Sequence, residues 1–124
     1  MRLLLDSHVV LWWLTGDPGL SDEVRDLIAE EAEVYVSTAS VWELGIKQES
    51  GKLTSPERLP ETVMDAGFRT LPITAAHAIK AVRLPMIHRD PFDRVLIAQA
   101  MVEELTLITC DAHIKRYDVP VLAP

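Results

Sequence analysis

The chain has 124 residues, 48% hydrophobic and 25% charged, the size and make-up of one globular domain (residues 1–124) and too few for two good cores. Its longest apolar run, Val9 to Leu14, falls far short of the roughly 20 residues that span a bilayer, and Asp6 and His8 break any secretory leader, so a cytoplasmic protein without a membrane partner is expected. Twelve Lys and Arg against nineteen Asp and Glu give a net charge of -7, which argues against a protein that coats nucleic acid by bulk charge but not against one that cuts it.

The elements alternate from the start. Arg2 to Leu5 reads as a short buried strand, and Ser7 to Thr15 as a helix stopped by Gly16. Ser21-Asp22-Glu23 supplies a cap and an acidic first turn for a second helix reaching about Ala32. Val34-Tyr35-Val36 is β-branched and aromatic, hence a strand, and a third helix runs from near Thr38 to near Ser50, ended by Gly51. The polar stretch between Lys52 and Pro60 is expected to be a loop, followed by a short helix from Pro60 to Ala66 and a strand from Phe68 to Ile73.

Thr74 caps a helix from Ala75 to about Arg83, and prolines bracket an ordered loop from Leu84 to Pro91. Asp93 to Glu104 is apolar nearly all round and should be a central, buried helix. Thr106 to Cys110 reads as a buried strand, Ala112 to Tyr117 as one or two helical turns, and Val119 to Leu122 as an edge strand around Pro120. This alternation predicts an α/β fold, a three-layer α/β/α sandwich with a mostly parallel central sheet. In such sheets ligands collect at the carboxyl ends of the strands.

Acids stand at that edge. Asp6 follows Leu3-Leu4-Leu5 directly, and Asp111 follows Leu107-Ile108-Thr109-Cys110. Glu43 lies one turn into the third helix, and Asp93 opens the buried one. Each has an ordinary structural use: Asp93 as an N-cap, Glu43 in a Ser40–Glu43 capping box, Asp6 and Asp111 as turn residues. Their convergence would be costly, because two carboxylates about 6 Å apart repel by roughly 2.8 kcal/mol at an effective dielectric near 20. No lysine stands directly beside Asp6, Glu43 or Asp111, and only Arg94 neighbours Asp93. A hard divalent cation, Mg²⁺ or Mn²⁺, is the simplest counter-charge, and such a centre suits phosphodiester hydrolysis.

At these residues the sequence resembles PIN-domain nucleases, and more closely the VapC toxins of bacterial type II toxin-antitoxin pairs. The resemblance runs through Leu4-Leu5-Asp6-Ser7-His8 with Leu11-Trp12-Trp13-Leu14, then Ser37 to Lys47 around Trp42-Glu43. It continues in His88-Arg89-Asp90-Pro91-Phe92-Asp93-Arg94 with Ile97-Ala98-Gln99-Ala100, and ends in Leu107-Ile108-Thr109-Cys110-Asp111. It implies that Asp6, Glu43, Asp93 and Asp111 form a Mg²⁺ site, which Mn²⁺ also fills, that cuts structured RNA such as tRNA or rRNA. It implies further a homodimer, and a VapB-like antitoxin that occupies the site in a heterotetramer or larger assembly. Ser7 stands where many relatives have threonine, and Asp90 is close enough to Asp93 to be a further contact, a loop-forming group or the ligand itself.

Other readings stay open beside this one. The chain fits a PIN-like RNA-processing nuclease outside any toxin-antitoxin pair, a non-cutting scaffold, or a phosphoacceptor receiver domain, although the acidic pair and lysine of a receiver are missing. His8, His77, His88 and His113 are scattered without a nucleophile motif; His88 and Arg89 are the best placed of the weaker candidates to touch phosphate or antitoxin. Arg94 is a candidate for the site or for an ion pair with Asp90 or Glu43. Of the adjacent Trp12 and Trp13 only one should face the core squarely, leaving the other for an interface, and Trp42 at its spacing from Ile46 is expected in the core. Cys110, the single cysteine, is expected to be buried and inert, and no Cys/His spacing marks a zinc site.

Overall fold

Leu3, Leu4 and Leu5 expose no surface, which requires their strand to be covered on both faces and both edges. The computed structural model describes residues 1–55 and 57–124; Pro56, within the loop expected before Pro60, lies outside them. The strands are β1 (Arg2–Leu5), β2 (Glu33–Ser37), β3 (Arg69–Leu71), β4 (Thr106–Ile108) and β5 (Val121–Leu122). The helices are α1 (Ser7–Thr15), α2 (Asp22–Glu30), α3 (Thr38–Glu49), α4 (Leu59–Asp65), α5 (Ala75–Arg83) and α6 (Pro91–Glu103), with a short 3₁₀ turn over Ile114–Arg116.

The sheet has the order β3-β2-β1-β4-β5 and every pairing in it is parallel. From β1 the chain builds outward through β2 to β3, then returns to place β4 on the other side of β1. The order therefore reverses between β1 and β4, where doubly wound sheets open a crevice for ligands. A receiver-type sheet has the order 2-1-3-4-5 instead, so the phosphoacceptor alternative loses its scaffold.

Side chains of successive β1 residues enter opposite cores. Leu3 and Leu5 pack with Val9, Val10, Val24, Ile28, Leu44 and Val63 on one face. Leu4 packs with Ala81, Leu96, Ile97, Ala100, Leu107 and Ile114 on the other. Helices thus cover both faces, as the sandwich requires. The caps follow the sequence closely: Ser21 Oγ accepts from the Val24 N–H, Thr74 Oγ1 accepts from the His77 N–H, and Gly16 ends α1 in the left-handed region at φ 69°.

Four expectations need correction. The helix expected from Asp93 begins at Pro91, because Asp90 caps it and proline is pre-set for a first helical position. The strand expected to reach Cys110 stops at Ile108, since its outer neighbour β5 pairs only through Leu107–Val121 and Ile108–Leu122; Cys110 is exposed. Trp42 and Ile46 are 64% and 44% exposed, not core, and the Trp42 ring meets Phe92 edge-on at 5.3 Å. Trp12 and Trp13 are both partly buried and both packed, although only one is expected to face the core squarely. Trp13 packs edge-on against Phe68 at 5.6 Å, and Trp12 lies over Gly19, where an added Cβ would come within 3.1 Å of the indole. Among the described residues no helix is long and apolar enough to cross a membrane.

Candidate active site

Asp6 and Asp111 flank the reversal between β1 and β4. The Asp6 N–H donates to the Ile108 carbonyl at 3.2 Å, which ties the end of β1 to the end of β4. Both acids hold nearby backbone N–H groups with one oxygen, Asp6 as a helix cap rather than the expected turn residue. Asp6 Oδ1 accepts from the Val9 N–H at 2.9 Å and so caps α1. Asp111 Oδ1 accepts from His113 N–H at 2.8 Å and Ile114 N–H at 3.3 Å. Each carboxylate is thereby fixed in orientation while keeping a second oxygen for other work.

Glu43 is not in a capping box. The cap of α3 is Ser37, whose Oγ accepts from the Ala39 N–H at 3.0 Å, so Glu43 is free to project from the helix one turn later. Its Oε1 accepts from the Ser7 hydroxyl, and its Oε2 lies 3.4 Å from Lys47 Nζ. Lys47 is thus a local counter-charge that neighbour-by-neighbour reading passes over, although it sits four residues on, at the spacing of a helical ion pair. Asp90 and Asp93 divide as cap and free acid: Asp90 Oδ1 accepts from both Phe92 and Asp93 N–H, and Asp93 Oδ2 lies 2.8 Å from His88 Nε2.

Asp6, Glu43, Asp93 and Asp111 all line one cavity of about 250 Å³, together with Asp90, Lys47 and His88. Five carboxylates there face a single lysine. Burial pushes the Asp6 carboxyl above its ordinary value, against opposing hydrogen bonds from Thr109 and Val9. Burial likewise lifts Asp93 to about 6; the His88 hydrogen bond works against this, and the charges of Asp90 and Asp111 add to it. The tightest convergence is of His88, Asp93 and Asp111, which offer ligand atoms within 4.8 Å of one another. Asp6 and Glu43 line the cavity outside that cluster.

This donor set fits a divalent cation. Hard oxygens dominate it, five acids face one lysine, and hydrogen bonds to Asp6, Glu43, Asp90 and Asp111 fix their carboxylates in orientation. Arg94, the chain neighbour of Asp93, does not serve: its guanidinium turns inward to the carbonyls of Ala81, Leu84, Pro85 and His88 and to the Tyr117 hydroxyl. It pairs with neither Asp90 nor Glu43. His77 is fully buried on α5 against Glu103, while His8 lines the cavity and the His113 ring stacks on His88 at 4.8 Å.

A family model described as the PIN domain matches residues 3–120. The chain belongs to the PIN domain family. Across 126 aligned positions it is 33% identical to Ribonuclease VapC22 of Mycobacterium tuberculosis, covering 95% of this chain and 93% of that relative. Among solved structures, VapBC2 from Rickettsia felis bound to a DNA fragment from its promoter superposes with a TM-score of 0.76 at 15% identity, covering 99% of this chain and 98% of that one. DNA-bound VapBC from Salmonella typhimurium gives 0.76 at 16% identity, with the same 99% and 98% coverage. At such identities the likeness is one of fold. In this PIN domain, then, the sheet reversal, the acids and the cavity coincide.

Proposed function

We propose that this PIN domain is a metal-dependent endoribonuclease and the toxin of a toxin-antitoxin pair. The observation that carries the reading is the meeting, in one cavity, of acids from four separate segments of the chain: Asp6, Glu43, Asp93 and Asp111. Kinship with a protein named a ribonuclease, and the fold shared with VapBC complexes, support it.

A bound divalent ion, Mg²⁺ or Mn²⁺, would supply a more acidic water and a counter-charge for the leaving oxygen. Asp6, Asp93 and Asp111 would hold the ion. Glu43, clamped between Ser7 and Lys47, would orient a water for attack, and Lys47 limits the charge that Glu43 adds to the cavity. The scissile phosphate approaches a site whose own charge is negative, so its binding depends on the cation rather than on a basic surface.

The substrate class is structured cellular RNA, tRNA or rRNA, whose cleavage arrests translation in the cytoplasm. A VapB-like antitoxin neutralises the toxin, which acts as a homodimer and joins the antitoxin in a heterotetramer or larger assembly. The whole chain serves as a single domain. Mapping the 5′ ends of cellular RNA after brief induction tests this: discrete new ends in one RNA class are expected with the natural chain and none with Asp6→Asn. New ends with both proteins would overturn it.

A further inference from the structure

The acids do not account for the nitrogen among them. His88 Nε2 lies 2.8 Å from Asp93 Oδ2 and 3.7 Å from Asp111 Oδ2, and the ligand atoms of all three lie within 4.8 Å of one another. Its position is held from several sides. The backbone N–H donates to the Tyr117 hydroxyl at 2.8 Å, and the backbone carbonyl accepts from Arg94 Nη1 at 3.1 Å. The ring lies parallel to that of His113, at an interplanar angle of 9°, and His113 Nδ1 is 3.5 Å from Asp111 Oδ1. A buried arginine and a tyrosine thus anchor the loop that brings this imidazole to the acids.

Donating a proton to Asp93 and donating a lone pair to a cation are exclusive uses of Nε2. The first suits the metal-free protein; the second suits a centre in which the ion replaces the proton between the same atoms. We propose that His88 is a nitrogen ligand of the divalent ion, completing a set with Asp93 and Asp111, and that it makes the centre favour Mn²⁺ over Mg²⁺. Mg²⁺ takes oxygen ligands and gives up its waters reluctantly, whereas Mn²⁺ shares that taste for oxygen but, as a first-row transition-metal ion, also accepts a nitrogen donor, so one imidazole among the acids raises Mn²⁺ affinity more than Mg²⁺ affinity. The inference rests on the metal reading of the cavity but concerns which atoms hold the ion, not what RNA is cut.

The test is pulsed EPR of the Mn²⁺-loaded natural chain, with calorimetric titration of Mn²⁺ and Mg²⁺ into metal-free natural chain, His88→Gln and His8→Gln. Glutamine at 88 keeps a hydrogen-bond donor for Asp93 but offers no imidazole. Nitrogen modulation from a bound imidazole is expected in the natural chain and in His8→Gln, and is expected to vanish in His88→Gln. His88→Gln should lose about 10- to 100-fold in Mn²⁺ affinity while Mg²⁺ affinity stays within about threefold. Mn²⁺ bound without nitrogen modulation, or with undiminished affinity in His88→Gln, overturns the role of His88 and leaves the acidic metal site standing. No Mn²⁺ uptake by the natural chain overturns both.

Discussion

The carboxylate of Asp90 accepts the backbone N–H of Asp93 at 3.1 Å, and the side chain of Asp93 turns instead to His88 at 2.8 Å. Two acids three residues apart thereby take different tasks. Asp90 satisfies the exposed amides at the start of α6, and Asp93, relieved of that duty, faces the cavity. A helix start is also a favourable place for negative charge, which partly offsets the cost of gathering acids there.

That cost is visible in Asp93 itself. Its carboxyl is lifted from 3.8 to about 6, so between those values the folded protein holds a proton that the unfolded chain releases. The corresponding stability is fully present below about 3.8 and is lost as pH rises through about 6. It amounts to roughly 3 kcal/mol at most. Urea unfolding in chelator from pH 4 to 7.5 should show the natural chain losing ground to Asp93→Asn across that window. Parallel pH profiles for the two proteins would contradict this account of Asp93.

Metal binding should reverse the penalty. At an ion concentration about 100 times Kd the folded state gains about 2.7 kcal/mol, or roughly 10 °C in melting temperature for a domain of this size. Thermal melts with and without Mn²⁺ are expected to show that shift in the natural chain and to show it nearly abolished in Asp111→Asn. The shift should be smaller at pH 5 than at pH 7.5, because Asp93 must give up its proton to the ion.

Much of this arrangement was legible in the residues, and the parts that were not have identifiable causes. Leu3-Leu4-Leu5 before Asp6 announces a buried strand ending in an acid, and the strand–helix alternation announces the sheet. The end of β4 is not legible locally because its length depends on β5, a partner some dozen residues away with only two paired residues. The spacing of Trp42 from Ile46 marks a hydrophobic face but not whether anything covers it, and both side chains are exposed. His88 was placed near the acids by its neighbours in the chain, but its aim at Asp93 depends on Arg94 and Tyr117, which no local pattern reveals.

Arg94 is the clearest structural consequence of that last point. It is buried and its guanidinium serves four backbone carbonyls and one hydroxyl. Arg94→Met should destabilise the protein by about 3 kcal/mol or more, because the carbonyls lose their donors without gaining water. Arg94→Lys should recover only part of this, since a single ammonium cannot reproduce the planar fork. Denaturant midpoints measure the cost, and amide exchange should show the 84–90 loop losing protection in both variants.

Trp42 makes the opposite prediction. With 64% of its surface exposed, Trp42→Ala should cost less than about 1 kcal/mol in the thermal unfolding of the isolated protein. A fully buried tryptophan would cost about 3–5 kcal/mol. A loss in that higher range would place this side chain in the core after all.

The central claim is that acids meeting at the β1–β4 reversal hold an ion that cuts RNA. Its most direct test is the cleavage of total RNA by purified protein, read on a gel and by end mapping. The natural chain with Mg²⁺ or Mn²⁺ should produce discrete fragments, with the rate falling on the order of a hundredfold or more in EDTA and in Asp6→Asn. Undiminished cleavage in EDTA, or by Asp6→Asn with metal present, would contradict the claim.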